Sequence, residues 1–419
     1  MARQIAAGAI TSAELVEAHI RRIEQVNPAL NAVVANRFEL ARREAEAADR
    51  ARQRGDALGP LHGVPVTIKE CFHVAGMAST EGIHRFASEL LPDDNPLVSR
   101  LRRAGAIVLG KTNVPQLMLM HETDNPVYGR TNNPWNLERA PGGSSGGEAA
   151  IIAAGGSPLG LGNDIGGSIR FPAHSCGICG IKPTTLRLTN AQVRDNLRGM
   201  EAIRPQSGPL ARTVEDLALA LSVLCQAEPG VVDPQVAPVP LGDPASVSVS
   251  DLRIGMWTDD GNFPASPALR RAVEESAAAL RQLGAHVEPF HPPDIPHAVD
   301  LFFQLTSADG GADVLRILGD SPRDWRVRRM LLLCRTPRPV RRALAALLQS
   351  IGQPRTARLL RNLGRCTTDV YWQRSFKRAE YAERFFAAWN RARLDAVICP
   401  PHALPALRHG ATADLTVAA

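Results

Sequence analysis

The sequence predicts an α/β fold, a β-sheet covered by α-helices. Three observations predict it. Short apolar strand patterns alternate with amphipathic helical patterns through the first half of the chain. A β-α-β unit recurs at 252–290. Apolar residues make up 44% of 419 residues, against 21% charged, which suffices for a large core and carries no sign of global disorder. One domain over 1–419 is expected: N-terminal helices over 1–60, a core bearing the chemical motifs over 61–225, and a second sheet-and-helix portion over 251–419.

The first helix is expected over 11–26. Thr11 can cap it and Glu14 can reciprocate, with Ile10 and Leu15 placed as a hydrophobic staple. Leu15, Val16, Ile20 and Ile23 form one apolar face, and Asn27-Pro28 is expected to stop the helix. A second helix, rich in Ala and Arg, fits 38–54 before Gly55. GVPVTIK at 63–69 reads as a buried strand with Lys69 at its end, and 97–104 and 106–110 read as a helix and a strand. The run 142–168 is glycine-rich, yet Ile151, Ile152, Leu159, Leu161 and Ile165 are interleaved, so it is no flexible linker. It predicts a small-residue helix over 148–154 and a strand over 159–161, with glycines serving close backbone approach and positive φ. Thr213 caps a helix over 213–224, and the Pro- and Val-rich stretch 226–250 reads as a surface excursion.

The unit at 252–290 is strand 252–257, helix 266–283 with Pro267 in its first turn and Gly284 at its end, and strand 286–290. It can extend the same sheet. The segment 326–363 is basic and amphipathic. A pair of surface helices with solvated Arg faces is the first reading, and a segment touching anionic lipid is the second.

The net charge of +6 and pI near 9.1 come mostly from arginine. Spread over the whole chain, they argue only weakly for nucleic acid or membrane, and no nucleic-acid partner is expected. The cysteine count, seven, is odd and the spacing wide, which fits reduced thiols in a cytoplasmic protein better than a disulfide framework. Cys176 and Cys179 form one C-x-x-C, but a structural zinc site needs a second pair. No apolar signal-peptide core follows Met1, and no uninterrupted apolar run reaches the roughly 18 residues of a transmembrane helix.

Two serines sit among glycines: GGSSGG around Ser144 and DIGGS ending at Ser168. A nucleophile that attacks a planar carbonyl needs open space and free N–H groups for the developing oxyanion, and neighbouring glycines supply both. Serine also needs a base. The histidines are scattered and none stands in a triad context. Lys69 is the strongest candidate, because burial lowers a lysine's pKa, although a lone lysine at a strand end is more often solvent-facing. Rival motifs fit less well. A P-loop lacks its lysine, and Gly160-Leu161-Gly162 has Ile165 where a dinucleotide fingerprint needs its third glycine. Gly142-Gly143-Ser144-Ser145-Gly146 meets G-x-S-x-G, which would make Ser144 an elbow nucleophile, but no convincing strand precedes it.

The run from Pro141 through PGGSSGGEAA to GLGNDIGGSIRFPAHSCGICGIKPT, together with GVPVTIKE at 63–70, resembles the amidase signature family. The motifs are long, specific and in order, and the similarity extends over nearly the whole chain. KECF at 69–72, NVPQ at 113–116, NPW at 133–135 and CGICG at 176–180 resemble that family's fatty-acid amide hydrolase branch. The resemblance implies the amidase signature fold, α/β with a mixed, twisted central β-sheet covered by α-helices on both sides, and hydrolysis of a carboxylic amide, with no cofactor and no metal. It implies Lys69 as base, Ser144 as relay after a cis peptide, and Ser168 as nucleophile. It further implies an oxyanion hole from the N–H groups of Ile165, Gly166, Gly167 and Ser168. Ser145, Asp164 and Arg170 are implied as supports and Met118 as part of the substrate pocket. A small amide substrate, peripheral membrane contact through 326–363 and a homodimer complete the expectation. Relatives of this kind continue beyond the position of Ala419, so an exposed apolar surface along one sheet edge is expected. The alternatives are a glutamine amidotransferase subunit that supplies ammonia for aminoacyl-tRNA, and an inactive scaffold.

Overall fold

The computed structural model describes residues 1–194, 199–226, 233–237 and 239–413. Its strands in chain order are β1 Val33–Asn36, β2 Pro65–Lys69, β3 Ile107–Thr112, β4 Asp124–Asn125, β5 Gly129–Arg130, β6 Leu159–Asp164, β7 Cys179–Gly180, β8 Gln206–Ala211, β9 Arg253–Met256, β10 His286–Pro289 and β11 Ala396–Ile398. Six form a mixed sheet in the order β1-β3-β2-β6-β8-β7. β3, β2 and β6 run parallel, and antiparallel strands flank them on both sides.

Strand alternation sends neighbouring residues into opposite cores. Ile107 and Leu109 of β3 join Val16, Ile20, Ile23 and Ile151 on one face. Val108 joins Val66, Ile68, Leu97, Leu161 and Leu221 on the other. Helices Ser12–Leu30, Phe38–Gln53 and Gly146–Ala153 thus cover one face, and Pro96–Arg103 and Val214–Leu224 cover the other. The parallel strands β2 and β3 are buried along their whole length, so any polar side chain on them enters the interior.

The first helix carries the expected capping box between Thr11 and Glu14. It runs on to Leu30, however, through Pro28. Proline in a last turn forfeits one hydrogen bond, and the helix ends where Asn31 turns left-handed at φ 50°. Asn27 is used differently from the expectation: its side chain bonds Ala32, Val33 and the Val33 carbonyl to set the exit into β1.

The 252–290 unit does not extend the main sheet. Parallel pairing of β9 with β10 on one side and β11 on the other makes a separate three-stranded sheet, with Ile254, Ala277 and Val287 in its core. The crossover helix is a local feature, whereas the choice of sheet depends on remote strands. The edge strand β11 is half-buried. Apolar side chains are also exposed on helix Thr368–Arg391, where Trp372, Phe376 and Phe386 face solvent.

The basic segment forms three helices rather than two: Trp325–Arg335, Arg338–Ser350 and Pro354–Asn362. Pro337, Gly352 and Pro354 punctuate them. Nor are all its arginines solvated. Arg341 is buried, and Arg326 is buried among Glu122, Asp124 and Asp324. In the expected excursion at 226–250, positions 227–232 and 238 lie outside the described residues. The remainder carries two exposed 3-10 turns, Pro244–Ser246 and Val249–Asp251. Among the described residues no helix is long and apolar enough to cross a membrane.

Candidate active site

β2 ends on Lys69, whose side chain is fully buried between β6 and the Ser144 loop. Its Nζ lies 2.7 Å from Ser144 Oγ, 2.6 Å from Asn163 Oδ1 and 3.4 Å from the Asn163 carbonyl. Burial drives its pKa down to about 8, only partly opposed by the negative field of the Asp164 carboxylate. Nζ can donate to all three oxygens as an ammonium, and on losing a proton it can instead accept from the Ser144 hydroxyl while still donating to Asn163.

Ser144 follows a cis Gly143–Ser144 peptide. Gly143 must be glycine: a Cβ there would stand 2.5 Å from the Met120 carbonyl. The preceding Gly142 carbonyl accepts from Thr123 Oγ1 at 2.9 Å. Ser145 stands at the start of helix Gly146–Ala153 and ties the two serine loops together. Its N–H donates to the Ser168 carbonyl at 3.1 Å, and its hydroxyl lies 3.5 Å from the Asn163 carbonyl that Lys69 also contacts.

Ser168 sits on the turn between β6 and helix Arg170–Cys176, where Gly167 takes φ 108°. Asp164 organises this turn. Its carboxylate accepts from the N–H groups of Gly167, Ile169 and Arg170, and from the Arg170 guanidinium at 2.9 Å on each oxygen. Burial would raise the Asp164 pKa, but Arg170 and the backbone donors outweigh it and hold it at about 2. One expectation is corrected here. The Gly167 N–H is committed to Asp164 Oδ1 at 2.8 Å and so does not point at an incoming oxyanion. Among the described residues, the N–H groups of Ile165, Gly166 and Ser168 meet no acceptor.

Ser144, Ser168, Asn163, Ile165 and the expected Met118 line one cavity of about 160 Å³. Leu119 and Val193 add apolar lining, and Asn190, Glu201, Arg204 and Gln235 add polar lining. Arg204 pairs with Glu201 and donates to Gln235.

Two buried polar residues escaped the sequence reading. Asn163 supplies both oxygens that Lys69 meets besides Ser144, but it is one of six buried residues on β6 and nothing in its spacing marks it. Glu148, on helix Gly146–Ala153, accepts from Thr67 at 2.7 Å and Thr112 at 2.9 Å. Burial raises it to about 8, which keeps this carboxyl largely protonated at neutral pH and adds little negative charge beside Lys69. The Cys176–Cys179 pair is two free thiols, one buried at a helix end and one half-buried on β7.

A buried amine of lowered pKa against one serine, and a second serine beside three open N–H groups, can support acyl transfer to a hydroxyl without histidine. Comparison with known proteins leads to the same class. Residues 14–418 match the family described as Amidase. Fatty-acid amide hydrolase 1 of Sus scrofa is 36% identical over 401 residues, 96% of this chain and 68% of that protein. Indoleacetamide hydrolase of Bradyrhizobium diazoefficiens is 40% identical over 296 residues, 70% of this chain and 56% of its own length. The solved structure of a fatty acid amide hydrolase superposes with a TM-score of 0.88 at 25% identity, covering 99% of this chain and 69% of that one. Fold and site define an amide hydrolase; the chain belongs to the amidase signature family.

Proposed function

We propose that the protein cleaves a carboxylic amide to acid and amine through an acyl-enzyme on Ser168. Ser144 is the relay and neutral Lys69 the base. The observation that carries this reading is the 2.7 Å contact of a fully buried Lys69 with Ser144. Lys69 takes the Ser144 proton as Ser144 takes that of Ser168, and Ser168 attacks the carbonyl carbon. The oxyanion meets the N–H groups of Ile165, Gly166 and Ser168. The proton returns through Ser144 to the amide nitrogen, the C–N bond breaks and the amine leaves. Water then attacks the ester by the same relay and regenerates Ser168.

For the substrate we favour a lipophilic amide. The kinship with fatty-acid amide hydrolases spans 96% of the chain, and Met118, Leu119 and Val193 line the pocket. With a panel of primary amides, kcat/KM should rise from acetamide to long acyl chains. Preference for glutamine with ammonia release would favour the amidotransferase reading instead.

The helix Arg338–Ser350 supports peripheral membrane contact. Val340, Leu344, Leu347 and Ile351 form an exposed apolar stripe at helical spacing, on a helix that also exposes Arg338 and Arg342. Leu347→Glu should reduce co-sedimentation with anionic liposomes severalfold while leaving hydrolysis of a short soluble amide unchanged. Equal sedimentation of variant and wild type would return the stripe to an ordinary surface.

A further inference from the structure

We propose that His121 is a positioning residue for the Ser168 loop, its ring N–H fixing the peptide plane between Gly166 and Gly167. The inference rests on the acyl-transfer reading above. The segment Met120–Thr123 passes against both serine loops. Its Met120 carbonyl packs on Gly143, and Thr123 holds the Gly142 carbonyl. Between them, His121 Nε2 lies 3.0 Å from the Gly166 carbonyl oxygen.

A carbonyl can only accept, so Nε2 carries the proton in this contact. Burial lowers the His121 pKa, which favours the neutral ring with that single proton placed on Nε2. The ring cannot swing freely. It packs on Phe171 with centroids 5.2 Å apart, and Phe171 is backed by His402 at 4.7 Å. Ring nitrogen and Gly167 are also close: a Cβ on that glycine would lie 3.8 Å from Nε2.

The consequence concerns one peptide group held at both ends. His121 holds its C=O, and Asp164 holds its N–H through Gly167 at 2.8 Å. With the plane unable to rotate, the adjoining N–H groups of Gly166 and Ser168 are aimed before substrate arrives. Such alignment matters to rate and little to ground-state binding, since a displacement of about 1 Å at a reacting centre costs on the order of 10²-fold.

The test compares two side chains of similar length. His121→Gln keeps an N–H donor in reach of Gly166, and His121→Met does not. Single-turnover phosphonylation by a fluorophosphonate, which forms the Ser168 O–P bond as fluoride leaves, and steady-state amide hydrolysis are read for both, with thermal unfolding as a check on folding. His121→Met should lose about tenfold or more in phosphonylation rate and kcat, with KM within about twofold of wild type. His121→Gln should recover most of the rate. His121→Phe, which keeps the ring packing, serves if the methionine variant does not fold, and it should match that loss. Equal rates for the glutamine and donor-less variants, or a loss confined to KM, overturn the role of His121 while leaving Ser168 as nucleophile. A wild-type protein that takes no label at Ser168 overturns both readings.

Discussion

Ser168→Ala should abolish amide hydrolysis, lowering kcat by about 10⁶-fold, with little change in stability. The size follows from chemistry. Without the hydroxyl no acyl-enzyme forms, and only attack by water near three N–H donors remains. The stability expectation follows from the structure. The backbone carbonyl of Ser168, which holds Ser145, survives the substitution, and the deleted oxygen borders the cavity rather than a packed core. Ser144→Ala should differ in kind. It leaves the nucleophile in place but disconnects it from Lys69, so acylation slows while covalent labelling persists. Full amidase activity in Ser168→Ala, together with loss of all labelling in Ser144→Ala, would reverse the two roles.

The second large effect is that of Lys69→Ala, at about 10²–10⁴-fold in acylation rate, with loss of the alkaline rise in activity. The sign follows from the shifted group. Burial brings Lys69 from 10.5 down to about 8, so the base form makes up about a tenth of the protein at pH 7. Wild-type kcat/KM should therefore climb close to tenfold per pH unit below 8 and level off above it. The alanine variant should be slow and lack this climb. A wild-type profile flat from pH 6 to 9 would mean that lysine is not the titrating base. Stopped-flow acylation assays across that range separate the two outcomes.

How far these residues could be read in advance varied with how local their signals are. Ser168 was visible because its environment is contiguous in sequence: Ile165, Gly166 and Gly167 precede it and Asp164 begins the turn. Lys69 was not visible from its residues alone. A lysine at a strand end faces solvent unless that strand is central, and β2 becomes central only when β3 and β6 pair on either side of it. Its motif, not its chemistry, pointed to it. Ser144 fitted a nucleophile elbow by pattern, and only the contact with Lys69 favours a relay. Asn163 and His121 had no local signature, since their partners lie 94 and 45 residues away. The fold divides in the same way. Caps, glycine stops and strand alternation marked most elements, whereas the separate sheet of β9, β10 and β11 arises from pairing that brings in a strand far along the chain, Ala396 against Ile254. Pro28 inside a helix shows the reverse error, in which a strong local rule yields at a helix end.

The position of the covalent adduct decides whether Ser168 is the nucleophile of a lysine-driven relay. The intact protein is treated with a fluorophosphonate, digested and mapped by mass spectrometry. A single adduct is expected, localised by fragmentation to Ser168 rather than Ser144 within the Lys- and Arg-free stretch 140–169, and it should form faster as pH rises toward 8. An adduct on Ser144, or none at all under conditions where the fold is intact, would contradict that role for Ser168.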